Sequence, residues 1–327
     1  MLCPKGMLNG PCGGVRGRLC EVDDFDCPFV KALENLKNER YLRPILDKDF
    51  KVPCEPVEAE PSDYLKKLEE FAVSAEVEPW SLEELERALS WDFDALNVTD
   101  NPLGIPHIDV VWASSWLASR GKEVIAQLTC RGRTREALTS ALLALEASGA
   151  RNVLALTGDW APRSSFDLDA VRLVCLVQAL RRGVDWEGRE VGKVRLTVGV
   201  AANPYFELEE KRLLRKVRAG AQFAQTQPVF NKEVLKRIKK YPLPTVPSVL
   251  LTTSRKVVRA LIERGVDAKE FYEGLVKAKK EGRADEYVLE RAKEVFDEAY
   301  SLDLPGAHLM APGRPDLLER FRELLNL

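Results

Sequence analysis

The sequence contains the stretch Asn152-Val153-Leu154-Ala155-Leu156-Thr157-Gly158-Asp159, an apolar run that ends abruptly in Thr-Gly-Asp. A short apolar run bounded by turn residues predicts a buried strand. In parallel α/β proteins, the carboxyl ends of such strands carry the residues of the functional site. We therefore expect this strand to belong to a parallel α/β fold and to present Asp159 at a site.

Similar strands alternate with helical patterns from Val73 onward. Strands are predicted near residues 73–78, 95–100, 124–130, 152–159, 194–202, 223–230, 245–251 and 306–312. Helices are predicted near residues 81–90, 106–120, 134–149, 167–183, 206–219, 231–241, 254–265, 268–280, 284–300 and 313–325. Capping residues such as Ser81 and Thr134 precede these helical patterns, and glycines such as Gly149 and Gly220 end them.

This repeat of βα units predicts an α/β fold, a (β/α)8 TIM barrel over residues 72–327. A doubly wound open sheet is the alternative. It is disfavoured because no G-x-G-x-x-G motif follows the first strand, as a dinucleotide-binding sheet of that kind requires.

Composition excludes several classes of function. The chain has 327 residues, 45% of them hydrophobic, which suits a barrel and a small additional module. Its net charge of −2 indicates no general attraction to nucleic acid or to an anionic membrane. No apolar run approaches the roughly 18 residues of a transmembrane helix, and the N-terminus lacks the apolar core of a signal peptide. We therefore expect a cytoplasmic protein without membrane insertion.

Residues 1–55 differ from the rest because cysteines alternate there with Gly- and Pro-rich turns. Seven cysteines in a cytoplasmic chain favour metal binding or redox use over a disulfide framework. We predict a zinc ion or an iron–sulfur cluster in this module. Its ligands would be Cys3, Cys12, Cys20 and Cys27. Cys54 would be a fifth ligand or a bystander, and residues 56–71 a linker with a short helix. The alternative is a loop-rich segment with free or oxidised thiols.

Polar side chains lie on the inward face of several predicted strands. They include Ser74, Glu76, Glu78, Asn97, Thr99, Gln127, Thr129, Thr157, Asp159, Gln225 and Gln227. Barrel interiors are normally filled by branched apolar side chains. Because an unpaired buried polar group costs roughly 1–3 kcal/mol, these residues predict a polar ligand at the C-terminal mouth of the barrel.

Structural roles are the alternative for each carboxylate. Glu76 could pair with an inward Lys or Arg, and Asp159 could cap the following segment. Glu78 is read as a loop carboxylate at the rim, and Asp100, in Thr-Asp-Asn-Pro, as an ordinary turn former.

The histidines provide no hydrolytic machinery. The chain has only two, His107 and His308, and neither belongs to a Ser-His-Asp pattern or to an H-E-x-x-H motif. Few acid–base groups and no predicted barrel metal indicate that an organic cofactor performs the chemistry.

The barrel resembles methylenetetrahydrofolate reductase, the flavin-dependent family that makes methyl-tetrahydrofolate in one-carbon metabolism. The resemblance lies in the order and spacing of several segments. These are Val73-Ser74-Ala75-Glu76, Asn97-Val98-Thr99, Gln127-Leu128-Thr129-Cys130, Ala155-Leu156-Thr157-Gly158-Asp159, Val200-Ala201-Ala202-Asn203-Pro204, Lys216 with Ala219-Gly220-Ala221, and Thr226-Gln227. The segment from Cys3-Pro4-Lys5 to Cys20-Glu21 is similar to a Cys-rich module associated with acetogen and archaeal reductases, where it is linked to metal or iron–sulfur binding and electron delivery.

The resemblance implies that FAD lies across the mouth of the barrel and that hydride passes to the methylene carbon of the folate. It implies two catalytic carboxylates. Glu76 would be the general acid, a role that favours a raised pKa. Asp159 would lie beside the flavin pyrimidine edge. Gln227 would bind the pterin. The positions implied for the cofactor are Thr99, Gln127, Asp159, Ala202, Asn203 and Lys216.

Departures from the family pattern leave the electron donor open. Pro79-Trp80-Ser81 stands where Pro-Pro-Arg is usual, and Arg255 or a neighbour replaces an aromatic residue near strand seven. The donor is therefore NAD(P)H or a redox protein such as ferredoxin, and the substrate is a folate or an archaeal pterin analogue. A homo-oligomer or a complex subunit is expected. Two other functions remain: a methyl-transferring pterin barrel without flavin, and a non-catalytic electron-transfer or scaffold subunit.

Overall fold

In the computed structural model, which describes residues 3–36 and 42–326, eight parallel strands form a closed barrel in sequence order. Strand β1 pairs with β2 on one side and with β8 on the other, where Ala72 lies opposite Gly306. The predicted (β/α)8 barrel is confirmed, and the open-sheet alternative is wrong.

The strands and helices follow the predicted alternation. The strands are β1 Ala72–Val77, β2 Ala95–Val98, β3 Val124–Thr129, β4 Asn152–Leu156, β5 Thr197–Ala202, β6 Phe223–Pro228, β7 Thr245–Leu250 and β8 Gly306–Met310. The helices are α1 Pro28–Glu34, α2 Asp63–Lys67, α3 Leu82–Leu89, α4 Val110–Ala118, α5 Arg135–Ala147, α6 Ala170–Arg181, α7 Glu209–Ala219, α8 Lys232–Ile238, α9 Arg255–Glu263, α10 Lys269–Lys280, α11 Ala284–Ser301 and α12 Pro315–Leu325. Among the described residues, no helix is long and apolar enough to cross a membrane.

An aromatic plug closes the N-terminal end of the barrel. Tyr64 of α2 is fully buried, and its ring contacts that of Phe223 edge-on, with 5.4 Å between the ring centroids. Gly199 permits this packing, since a Cβ atom there would lie 2.3 Å from the Phe223 ring. Because the plug closes this end, the polar interior above it is reached from the C-terminal mouth.

Residues 3–36 and 42–62, which precede α2, are called here the N-terminal segment. The first part of this segment packs on the C-terminal mouth. The backbone N–H groups of Leu8 and Asn9 both donate to Asp169 Oδ2 over 3.0 Å. Asp169 also accepts from the Arg172 N–H at the start of α6. On the opposite side, Asn203 Nδ2 donates to the Gly13 carbonyl over 3.2 Å. Charged and amide side chains therefore connect the segment to the loops after β4 and β5.

The same segment explains why every residue of α6 is buried. An outer helix of a barrel normally keeps a polar face in water. Here Asp47 pairs with Arg172 over 2.8 Å, and Arg181 donates to the Val57 carbonyl over 2.9 Å. The N-terminal segment thus covers the outer face of α6 and provides partners for its buried charges.

Cys54 forms a disulfide bond with Cys175 of α6, across a sequence separation of 121 residues. Cys54 is therefore neither a fifth metal ligand nor a bystander. The expectation of metal or redox use in place of disulfides is wrong for this pair, since chain folding brings together two cysteines that are distant in sequence.

Removing the Cys54–Cys175 disulfide should destabilise the fold. A crosslink over so long a loop restricts the unfolded chain, and losing it typically costs about 2–4 kcal/mol. We expect Cys54→Ala/Cys175→Ala to lower the free energy of unfolding by that amount in guanidinium titrations. Dithiothreitol should destabilise the natural protein and leave the double variant unchanged. Equal responses of the two proteins to dithiothreitol would show that the bond is absent in solution.

Candidate active site

A cavity of about 620 Å³ lies at the C-terminal mouth of the barrel, within the range typical of small-molecule sites. Residues from seven strands or the loops that follow them line it, and the N-terminal segment forms a further wall. The predicted site residues on its surface are Glu76, Thr99, Gln127, Asp159, Asn203, Lys216 and Gln227. The structure therefore brings together side chains that are far apart in the sequence.

Ala202 does not share this surface. Its side chain is 1% exposed and packs in the hydrophobic core, whereas Ala201 lines the cavity. Successive strand residues point to opposite faces, so a one-residue difference moves a side chain from the cavity to the helices. The Ala202 side chain therefore does not line the cavity, and the assignment of Ala202 as a cofactor-binding position stays a prediction.

Glu76 lies on the inner face of β1, and its side chain is 8% exposed. Gln127 Nε2 donates to its Oε2 atom over 3.4 Å, and His308 Nε2 lies 3.7 Å from the same oxygen. These neighbours are an amide and an imidazole, whereas the structural alternative expected an inward Lys or Arg. An amide and an imidazole next to a carboxyl group can hold it in place in either protonation state.

His308 of β8 is a neighbour that the sequence analysis missed. Its Nδ1 atom lies 2.7 Å from Asn97 Nδ2 and 3.2 Å from Ser74 Oγ. Nδ1 therefore belongs to a buried polar group with Asn97 and Ser74, while Nε2 is on the side of the ring that faces Glu76. The useful signal would have been barrel closure, since β8 pairs with β1 and places His308 beside Ser74.

Two further carboxylates, Glu78 and Asp100, have different partners. Glu78 is not among the residues that line the cavity; it accepts the Gly313 N–H over 2.9 Å, and burial raises the pKa of its carboxyl group. Asp100 is 5% exposed, accepts from Thr129 Oγ1 over 2.7 Å, and pairs with Arg133. Asp100 is therefore a buried crosslink between the ends of β2 and β3, which corrects its assignment as an ordinary turn former.

Asp159 lies in the loop after β4, directly after Gly158, whose φ of +93° is in the left-handed region. A side chain at Gly158 would also meet Arg131, because an added Cβ would lie 2.9 Å from the Arg131 Cβ. Arg131 donates to the Asp159 carbonyl over 3.3 Å. The capping role for the next helix belongs to Asp169, not Asp159.

Lys216 of α7 is 5% exposed, and its ammonium group donates to the Ala201 carbonyl over 2.5 Å. Burial, together with the charge of the nearby Arg212, lowers the pKa of Lys216 to about 7. The Arg212 charge is compensated by Glu209, at 2.6 Å. An anion in the cavity, such as a phosphate group, would stabilise the charged form of Lys216.

The four cysteines predicted as ligands line a second, smaller cavity within the N-terminal segment. Cys12 also lines the large cavity, and its thiol donates to Glu21 Oε2 over 3.1 Å. Burial raises the pKa of Cys12 to about 12, as expected for a protonated thiol. Across residues 3–36 and 42–326, no three His, Cys, Asp or Glu side chains are arranged to hold a metal ion. The predicted ligand group is gathered in one place, but it does not have metal-binding geometry.

Comparisons with known proteins match the chain to two family models and to solved structures. The family model described as methylenetetrahydrofolate reductase matches residues 69–308. A second, described as methylene-tetrahydrofolate reductase C terminal, matches residues 1–52. A Clostridium thermocellum protein whose structure binds two copies of 5-methyl-5,6,7,8-tetrahydrofolic acid aligns with a TM-score of 0.55 and 16% identity, over 76% of this chain and 90% of that one.

A 2,3-dimethylmalate lyase aligns with a TM-score of 0.44 and 16% identity, over 73% of this chain and 95% of that one. That score supports no argument about function. At these identities, the alignment with the Clostridium thermocellum protein shows a shared fold.

The buried Lys216 should make stability depend on pH. Its pKa of about 7 in the folded protein is below the ordinary lysine value of about 10.4, so the unfolded chain binds more protons between these values. Through this residue, the free energy of unfolding therefore rises as pH increases across that window. Lys216→Met should lose this rise, which denaturant titrations at neutral and alkaline pH would measure. Lys211→Met, in the same helix, is the control. Equal pH slopes for Lys216→Met and the natural protein would contradict the prediction.

Proposed function

The chain belongs to the methylenetetrahydrofolate reductase family, and on that premise we propose that it is an FAD-dependent enzyme reducing 5,10-methylenetetrahydrofolate, or an archaeal pterin analogue, to the 5-methyl form. The observation that carries the proposal is the convergence of Glu76, Asp159 and Gln227 on one cavity. They come from β1, from the loop after β4 and from β6. The methyltetrahydrofolate bound by the Clostridium thermocellum protein supports a folate-type ligand for this barrel.

The side chains of the cavity suit FAD. Lys216 offers a buried ammonium group whose charged form an adjacent phosphate would stabilise. Thr99, Gln127 and Asn203 offer hydroxyl and amide groups to a polar ring system. When bound, FAD supplies the hydride that reduces the methylene carbon.

Glu76 is proposed to donate a proton to one of the two nitrogens that the methylene group bridges. The bond between that nitrogen and the methylene carbon then breaks, which opens the ring and leaves an iminium ion on the other nitrogen. Proton transfer by a positioned carboxyl group contributes typically 10²–10⁴-fold to the rate. After donation, the Glu76 carboxylate can accept a hydrogen bond from Gln127, and His308 Nε2 lies 3.7 Å from the same oxygen. These two neighbours would stabilise the charge that the reaction leaves on Glu76.

Asp159 and Gln227 are proposed to act on the bound rings. A carboxylate at Asp159 stabilises the positive charge of the iminium ion and holds the flavin pyrimidine edge. Gln227, through its amide, orients the pterin. Both residues line the same cavity as Glu76, although Asp159 follows β4, Gln227 lies in β6 and Glu76 lies in β1.

We also propose that the four N-terminal cysteines, which do not have metal-binding geometry in this structure, rearrange to take up zinc or an iron–sulfur cluster. The support is their shared cavity, and Cys12 lies on the walls of both cavities. Two electron donors fit the proposed reductase. One is NAD(P)H, and the other is a redox protein such as ferredoxin that acts through this segment.

The visible spectrum of the anaerobically purified protein tests the function. Flavin bands, or a flavin spectrum after reconstitution with FAD, are expected. A protein that remains colourless and does not bind added FAD would support the methyl-transfer alternative. An iron–sulfur band without flavin would support the non-catalytic electron-transfer subunit.

Glu76→Gln should remove the proton donor while preserving the shape of the cavity. We expect dithionite to reduce its bound flavin normally, and methylene reduction to fall by roughly 10²–10⁴-fold. Glu78→Gln is the matched control, because Glu78 is a nearby carboxylate that does not line the cavity. Full turnover by Glu76→Gln would remove Glu76 as the acid.

Metal analysis tests the cysteine cavity. We expect one zinc ion or one iron–sulfur cluster per chain after anaerobic reconstitution, and its loss in Cys3→Ala/Cys20→Ala. Cys130→Ala is the control, because Cys130 is a free, buried cysteine of the barrel. A natural protein that stays free of metal under these conditions would reject the site.

A further inference from the structure

The loop that carries Asp159 is fixed by charged side chains at three consecutive residues. Lys5 Nζ donates to the Gly158 carbonyl over 2.8 Å. The Trp160 N–H donates to Glu21 Oε1 over 2.8 Å. Between them, the Asp159 carbonyl accepts from Arg131. The backbone on both sides of Asp159 is therefore held by the N-terminal segment, and the barrel provides the contact in the middle.

Lys5 and Glu21 also hold each other. Their charged groups are 2.8 Å apart, and their side chains are 2% and 13% exposed. The Lys5 ammonium group lies 5.2 Å from the centre of the Phe166 ring, which lies further along the same loop. A buried ammonium group with a carboxylate, a carbonyl and an aromatic face around it has little freedom to move.

The contacts of the N-terminal segment with the barrel fix the pair itself. Asn9, four residues after Lys5, is bound to Asp169 at the start of α6. The second oxygen of Glu21 accepts from the Cys12 thiol. Lys5 and Glu21 thus extend from an anchored segment and reach the site loop from outside the barrel.

We propose that Lys5 and Glu21 are positioning residues that hold the Gly158-Asp159-Trp160 backbone and thereby place the Asp159 carboxylate in the cavity. Their effect on catalysis rests on the proposed function, whereas their effect on the loop does not. They act through Asp159, and neither takes part in the proposed chemical step. The N-terminal segment is then a component of the active site as well as a cover for α6.

The effect on the loop is tested by hydrogen–deuterium exchange of the ligand-free protein. Lys5→Met should increase exchange at residues 158–160, and Lys5→Arg should restore protection, since a guanidinium group can make the same ion pair. Lys31→Met is the control, because Lys31 is an exposed lysine of the N-terminal segment. Unchanged exchange in Lys5→Met would overturn the proposal, whether or not the protein is a reductase.

The effect on the site is tested by a double-mutant cycle with Asp159→Asn. Since a small displacement of a reacting group costs on the order of 100-fold in rate, Lys5→Met should lower kcat by about that factor and change KM little. Adding Lys5→Met to Asp159→Asn should cost little more, because both changes affect one carboxylate. Independent, multiplicative losses would overturn the proposal. If the natural protein lacks reductase activity, the proposed function fails and the exchange experiment alone decides the role of Lys5 and Glu21.

Discussion

The pairing of β1 with β8 is the constraint on which the site depends. It joins Ser74 to His308 in register and closes eight parallel strands into one barrel. Closure directs every strand toward the same mouth, so residues from β1, β3 and β6 face one cavity. A parallel sheet left open would spread the same side chains along an edge. The proximity of Glu76, Gln127 and His308 is therefore a consequence of closure.

Closure also creates a difficulty, because it buries a polar interior. Ser74, Asn97 and His308 are each at most 3% exposed, and they provide hydrogen-bond partners for one another. Since isolated buried polar groups are costly, these contacts offset part of the cost of burial, and Asn97 Oδ1 is the atom of the three side chains that has no partner in the described structure. The aromatic plug below and the N-terminal segment above isolate this network from bulk water, and the cavity remains the route by which a ligand reaches it.

The N-terminal segment is as much a part of the molecule as the barrel helices are. It covers α6, is bonded to it through Cys54 and Cys175, and contacts the loops after β4 and β5. Its cysteines line a cavity next to the large one, with Cys12 shared between them. A chemical change among the cysteines would therefore occur within hydrogen-bonding distance of the residues that hold the Asp159 loop.

Local patterns in the sequence determined the barrel, its strands and the inward positions of Glu76, Gln127 and Gln227, because strand alternation and helix caps depend on neighbours in the chain. The role of His308, the Cys54–Cys175 bond and the contacts of Lys5 and Glu21 were decided only by tertiary structure. The residues that contact each other in these cases are more than a hundred positions apart in the sequence, and Lys5 and Glu21 come together at the loop after β4. A pattern of neighbouring residues carries no information about contacts over such separations. Ala202 shows what local patterns leave open within a single strand. The sequence indicates that neighbouring side chains of β5 alternate between the two faces, but packing against the helices decides that Ala202 points to the core and Ala201 to the cavity.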